Sequence, residues 1–346
     1  MAGTRYTRPK LEPSAPTNSY PAMSKQAFDQ KLAALEELRS AADVVQPLRK
    51  ALKDRNNYFV SKVAAIVAQR QLAELTPDVL AAMERFFQDP TKTDPQCWAK
   101  NALIKTLKDL GHRGPAVYLR GIEHIQMEPV WGGQADSAGT LRGACALALV
   151  ECSLDALEIL RYLGDRLADT EKTVRVDAAL AIGQLGQPVG ALLLRLKALI
   201  GDTEPEVVGQ CFLSLLGLHA EEAIPFVGRF LRSGPEETRA EAAAALAQSR
   251  EPAALEQLTE LWQERLSPDM RATILLSLAA SPLPQAAEFL LSVLTEDSGD
   301  LAKTAITALA RSRLHGELRE RTLALLGNKP ADVRRHFEQE FGKRAV

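Results

Sequence analysis

The sequence predicts an all-α fold: a right-handed superhelical solenoid of about nine helical hairpins behind an N-terminal capping helix. Three observations predict it. One phrase recurs at a nearly constant interval, and such recurrence marks a stacked array. Each repeat holds two amphipathic segments, and neither can bury its apolar face alone. Of 346 residues, 46% are hydrophobic but only 5% aromatic, a profile suited to helices packed through small contacts.

The phrase is clearest at 169–186, DTEKTVRVDAALAIGQLG. Asp169 stands in a turn and Val174-Arg175 open a helix. Ala178, Ala181, Ile182 and Leu185 then follow at i, i+3, i+4 and i+7. That spacing lines one helical face, which ends near Gly186. Aligned on Ala178, the repeats place Val63, Asn101, Cys145, Cys211, Ala242, Ile274, Ala305 and Phe337 in equivalent positions. The intervals along the chain are 38, 44, 33, 33, 31, 32, 31 and 32 residues.

In chain order, residues 1–23 are proline-rich and lack apolar periodicity, so a disordered tail is expected. With Ser24 as N-cap, Phe28, Leu32, Leu35 and Leu38 mark the capping helix over 24–40. One solenoid fills 24–346. Its longer N-terminal repeats occupy 41–125, an inserted loop 126–140, and regular repeats with a C-terminal cap 141–346. First helices over 156–169, 223–232, 254–266 and 286–297 each lead through a polar turn into a second helix. The insertion QMEPVWGGQADSAGT accounts for the longest interval. Loops of that length inside a compact array are uncommon, and they are often functional or disordered.

Net charge is only −2, yet residues 1–70 carry 12 Lys+Arg against 6 Asp+Glu, and residues 126–346 carry 23 against 31. A basic beginning and an acidic remainder imply either a polarised surface or an unevenly solvated exterior. The overall balance argues against a nucleic-acid partner. Cys97, Cys145, Cys152 and Cys211 lie in or beside apolar runs without a CxxC pair, as buried thiols of a reducing compartment do. No apolar run approaches the roughly 18 residues of a membrane span, and the N-terminus lacks an apolar signal core. A cytoplasmic location is expected.

A turn Asp precedes an Arg by six positions at Asp136/Arg142 and Asp169/Arg175, and in weakened form at Ser233/Arg239 and Asn328/Arg334. With the VRxxAA phrase fullest at 174–186, this resembles the HEAT repeat family, in the short bacterial type of phycobilin-lyase-like proteins. The resemblance covers about residues 40–340. It implies that Asp and Arg tie successive repeats into a ladder, interrupted where Val208 and Ala302 replace the arginine.

Some enzymes on this scaffold, resembling deoxyhypusine hydroxylase, hold iron with ordered His-Glu pairs. Here the five histidines are scattered and Glu123-His124 is reversed and alone, so no metal and no cofactor are expected. Alkylpurine DNA glycosylases of similar architecture would use tryptophans and a basic concave face. Trp98, Trp131 and Trp262 are present, with Lys100, Lys105, Lys108, Arg113 and Arg120. Trp98 and Trp262 read as core residues, and the acidic remainder argues against wrapping a duplex. No bilin-handling signature, GxxxxGK[ST] or GxSxG occurs, and Gly132-Gly133 lack the flanking strand of a nucleotide loop. Catalytic residues are therefore expected to be absent, and the chain is read as a non-enzyme.

Two groups of residues are candidates for partner binding. Glu128 and Trp131 form a contact finger beside Arg142, or Trp131 packs back on the repeats. Arg142, Arg175, Arg239 and Arg271 begin second helices; they are ladder members or, where unpaired, binders of acidic peptides. The functional expectation is a monomeric, non-catalytic scaffold. It would bind a protein or peptide partner along the long, shallow surface of its second helices. The alternative is a HEAT-scaffold enzyme or accessory, bilin-lyase-like or DNA-glycosylase-like.

Overall fold

A computed structural model describes residues 25–342. The expected tail at 1–23, the Ser24 cap and the last four residues lie outside them. Helix Lys25–Glu37 opens the array, burying Leu35 against the first repeat. Nine helical hairpins follow among the described residues. Repeat 1 pairs Val45–Ala51 with Asn57–Gln69, repeat 2 pairs Thr76–Phe86 with Trp98–Asp109, and repeat 3 pairs Pro115–Ile122 with Gly139–Leu149. Repeats 4 to 6 pair Ala156–Arg166 with Lys172–Leu185, Gly190–Ile200 with Pro205–Leu218, and Ala220–Gly228 with Glu236–Gln248. Repeats 7 to 9 pair Pro252–Trp262 with Pro268–Leu278, Pro284–Glu296 with Asp300–Arg311, and His315–Ala324 with Ala331–Gly342.

Local chemistry sets these boundaries. Asn56 and Asp155 accept hydrogen bonds from backbone N–H groups of the first turns they precede, as N-caps do. Proline occupies an opening position in several helices, where its missing N–H costs nothing. Gly186, at φ 70°, ends Lys172–Leu185 in the left-handed conformation expected of a helix stop. Successive second helices pack on one another along the array, whereas first helices pack chiefly on their own partners. The closer-spaced row is the inner one, so the second helices line the concave face. No helix among the described residues is long and apolar enough to cross a membrane. All four cysteines are free and buried.

The buried set Val174, Arg175, Ala178, Ala179, Ala181 and Ile182 recurs in repeat 2 as Ala99, Lys100, Leu103, Ile104, Thr106 and Leu107. Leu103, not Asn101, is therefore the counterpart of Ala178. The first two intervals become 40 and 42 residues. The displaced register has a specific cause: Asp94 holds the turn position, and a lysine stands where the repeat phrase calls for arginine.

The insertion is also different from the expected loop. Met127–Val130 (β1) and Gly133–Asp136 (β2) form an antiparallel hairpin, with Val130 opposite Gly133. Strands therefore do flank Gly132-Gly133, but as the arms of a two-residue turn. Gly132 has φ 90°, a conformation glycine adopts without a steric cost.

Candidate functional site

The turns of repeats 3 to 5 are joined by two arginines. Arg142, 1% exposed, grips Asp169 with Nε and Nη2 at 2.9 and 2.8 Å. Its Nη1 donates to Asp136 at 2.6 Å and to the carbonyl of His124 at 2.9 Å. Arg175 holds Asp202 with the same fork, both bonds at 2.8 Å, and donates to the carbonyls of Asp169 and Thr170. Lys197 adds a third contact to Asp202 at 2.7 Å. Burial alone would raise the Asp202 pKa, but hydrogen bonds from Arg175, Lys197 and the Glu204 N–H outweigh it. The carboxyl is held well below its usual range.

The ladder ends there, because Val208 at the next position is buried and apolar. Ser233 does not pair with Arg239: its hydroxyl donates to the Arg229 carbonyl, and Arg239 reaches the Leu231 carbonyl at 3.2 Å. Arg271 lies over the Trp262 ring, 4.6 Å from its centroid. A buried pair at the same six-residue spacing stands within repeat 2, where Asp94 and Lys100 meet at 3.0 Å with both side chains fully buried. Lys100 thus leaves the basic surface expected from the sequence. Of the four candidate arginines, Arg142 and Arg175 are committed within the array, and Arg239 and Arg271 are half-buried.

The hairpin is fastened at its base. Glu128 accepts from the Gln96 N–H at 2.7 Å and the Ser137 hydroxyl at 2.8 Å, as well as from the Gln126 amide. Burial opposes its ionisation, yet these bonds and Lys100 hold its pKa below the ordinary value. Gln126, itself buried, donates to the Asp94 carbonyl at 2.9 Å. Trp131 stands fully exposed at the tip. The structure therefore brings Glu128 and the Arg142 partner Asp136 to one hairpin base. Trp131 does not pack back on the repeats.

The corrected register exposes a row that begins five positions before each aligned residue. It reads Tyr58, Trp98, Thr140, Thr173, Glu206, Glu237, Asp269, Asp300 and Asp332, changing from aromatic to hydroxyl to acidic along the inner edge. The carboxylates lie in the first turns of their helices, where the macrodipole favours them. Trp98 is not a core residue: it is 45% exposed. It opens its helix directly after left-handed Cys97, which turns the ring to the groove, with its centroid 5.3 Å from that of Tyr58. Trp262 does pack on the core, edge-on to Phe289 at 5.5 Å.

A groove of about 650 Å³ lies across the second helices of repeats 1 to 3. Tyr58, Trp98, Ala65, Ala102 and Leu147 give it apolar walls, and Lys62, Lys105 and Lys108 give it charge. No carboxylate lines it. Lys62 lies 4.9 Å over the Tyr58 ring, and Lys105 pairs with Asp109 at 2.6 Å. Among the described residues, no carboxylate comes within 4.0 Å of Lys62 or Lys108. The Asn101 side-chain oxygen is buried in the wall without a hydrogen-bond partner, which is rare enough to call for an explanation. Tyr58 and Lys62 are functional candidates that sequence reasoning missed. Their signal was the i, i+4 placement of Tyr58 and Lys62 opposite the already visible Trp98 and Lys105. Among the described residues, no cluster of His, Cys, Asp and Glu is placed to hold a metal ion.

This architecture defines a class of helical-repeat proteins that present an extended surface. A family profile described as HEAT repeats matches residues 192–279 and 224–310, and the chain carries HEAT repeats there. The solved structures similar to it include an engineered protein, 15% identical over 93% of this chain and 96% of that one, at a TM-score of 0.37. Human deoxyhypusine hydroxylase in complex with glycerol is 18% identical over 74% of this chain and 91% of that one, at 0.28. The complex of CpcE and CpcF of phycocyanin lyase from a Nostoc species is 16% identical over 96% of this chain and 100% of that one, at 0.33. At such scores none of these three carries an argument about function. No curated protein matches the sequence.

Proposed function

We propose that the chain is a non-catalytic interaction scaffold whose groove across repeats 1 to 3 holds an acidic peptide segment of a protein partner. One observation carries the reading: Tyr58 and Trp98 stand beside Lys62, Lys105 and Lys108 in an open groove with no lining carboxylate. The lysines would attract acidic side chains, and the two rings would seat an apolar one. The acidic row further along the inner edge repels the same segment, which confines it to the basic end. Acidic-peptide binding thus falls to lysines outside the arginine ladder rather than to the arginines.

The test is fluorescence anisotropy of a labelled Glu-rich peptide carrying one Leu-Leu pair, titrated with the full chain. Reversing two charges of the groove, half-buried Lys62→Glu with exposed Lys108→Glu, should weaken binding by roughly tenfold or more while the circular dichroism spectrum stays that of the folded chain. Added salt should weaken the wild-type interaction. Equal binding by both proteins would overturn the reading. So would tighter binding of an oligothymidylate of the same charge.

A further inference from the structure

Helix Gly190–Ile200, the first helix of repeat 5, has two apolar sides. Gly190, Leu194 and Ala198 face the core and are buried. Gly190 is needed there, since a Cβ at this position would sit 2.8 Å from a methyl of Ile182. On the other side Val189, Leu192, Leu196 and Leu199 are 44, 66, 56 and 57% exposed, and Ile200 is 74% exposed. At 100° per residue, those first four lie within about 40° of the point opposite Leu194. Their spacings of three, four and three residues are those of a coiled-coil seam, with Val189 and Leu196 at one heptad position and Leu192 and Leu199 at the other.

We infer that this seam is an interface between two copies of the chain, packed antiparallel about a twofold axis at the level of Leu194. The spacing is palindromic about that residue, so in an antiparallel pair Leu192 of each copy meets Leu196 of the other and Val189 meets Leu199. A surface that matches its own reverse is what a twofold contact requires. The five exposed side chains present apolar area on the order of 500 Å² per chain, as much as the largest patches of most monomers. Two copies would bury on the order of 1,000 Å², the lower bound for a specific interface. Charge does not ask for a different occupant. The helix carries two cations, and both are engaged within the chain: Arg195 over the Phe226 ring and Lys197 on Asp202. This assembly replaces the monomer expected from the sequence and is independent of the peptide groove, which lies on the opposite, inner face.

Sedimentation equilibrium of the full chain should give the mass of two chains at micromolar concentration. The double variant Leu192→Glu with Leu196→Glu should sediment as one chain with an unchanged circular dichroism spectrum. A second variant, Leu192→Cys with Leu196→Cys, should form a covalent dimer under mild oxidant. Wild type supplies the blank, because its four thiols are buried and burial pushes Cys97 up to about 11 and Cys211 up to about 12. A wild-type mass of one chain up to about 100 µM would overturn the inference. So would a dimer that the glutamates leave intact or that the cysteines fail to link.

Discussion

Arg175 sets two nitrogens 2.8 Å from the oxygens of Asp202, whose side chain is 4% exposed. Breaking a pair this deeply placed leaves the remaining charge buried, at a cost of about 3 kcal/mol or more. Asp202→Asn should therefore lower stability near neutrality by about that amount, measured by urea unfolding. The dependence on pH follows from the depressed folded-state pKa. Such a carboxylate contributes its full stabilisation above the unfolded value of about 4 and loses it as pH falls below that toward the folded value. The gap between wild type and variant should be constant above about pH 5 and shrink below about pH 4. A gap that persists undiminished to about pH 2 would show that the fork is not the source. At this scale the sequence was readable where the repeat used its commonest residues. Asp136/Arg142 and Asp169/Arg175 stood at the right spacing and do join neighbours. Asp94/Lys100 is a buried pair at the same spacing that closes repeat 2 on itself, yet lysine in place of arginine hid it and displaced the register to Asn101.

At the scale of elements, the hairpin Met127–Asp136 divides into a fastened base and a free tip. Gln126 is 1% exposed and bonds the Asp94 carbonyl, while Trp131 is bare to solvent. Gln126→Ala should destabilise the chain by about 1–3 kcal/mol, because it removes the buried hydrogen bonds of this side chain to the Asp94 carbonyl, Glu128 and Cys97 together. Trp131→Ala should stay within about 0.5 kcal/mol of wild type. Thermal unfolding of both variants decides the point, and equal losses would contradict this division. The insertion was visible as a break in the repeat interval, but its strands were not. Four residues with Pro129 among them carry little strand signal. What forms the pairing is the Gly132 turn together with Glu128 and Gln126 anchored on loop 94–97, and those partners lie about thirty positions away in sequence. The helices were readable because their apolar spacing is local; the hairpin depends on contacts that are not.

Across the whole molecule, stability in a stacked array is close to a sum over repeats and their interfaces. The buried forks cross from repeat 3 to repeat 4 through Arg142–Asp169 and from repeat 4 to repeat 5 through Arg175–Asp202. Beyond repeat 5, the ion pairs that join neighbours are partly or largely exposed, as in Arg232–Glu264, Arg321–Glu288 and Lys303–Asp332. Pairs of that kind contribute about 0–1 kcal/mol each and weaken with salt. The Ala-rich second helices of repeats 6 and 8 also bury less area per residue than the Val, Phe and Leu of Pro205–Leu218. Local opening should therefore begin at the C-terminal end. In native-state hydrogen exchange, amides of Asp300–Arg311 and Ala331–Gly342 should exchange on the order of tenfold faster than those of Lys172–Leu185 and Pro205–Leu218. Raising salt should widen that difference, since it screens the exposed pairs and leaves the buried forks nearly untouched. Uniform protection along the array would mean that apolar stacking alone sets the order of opening and that the arginine ladder has no part in it.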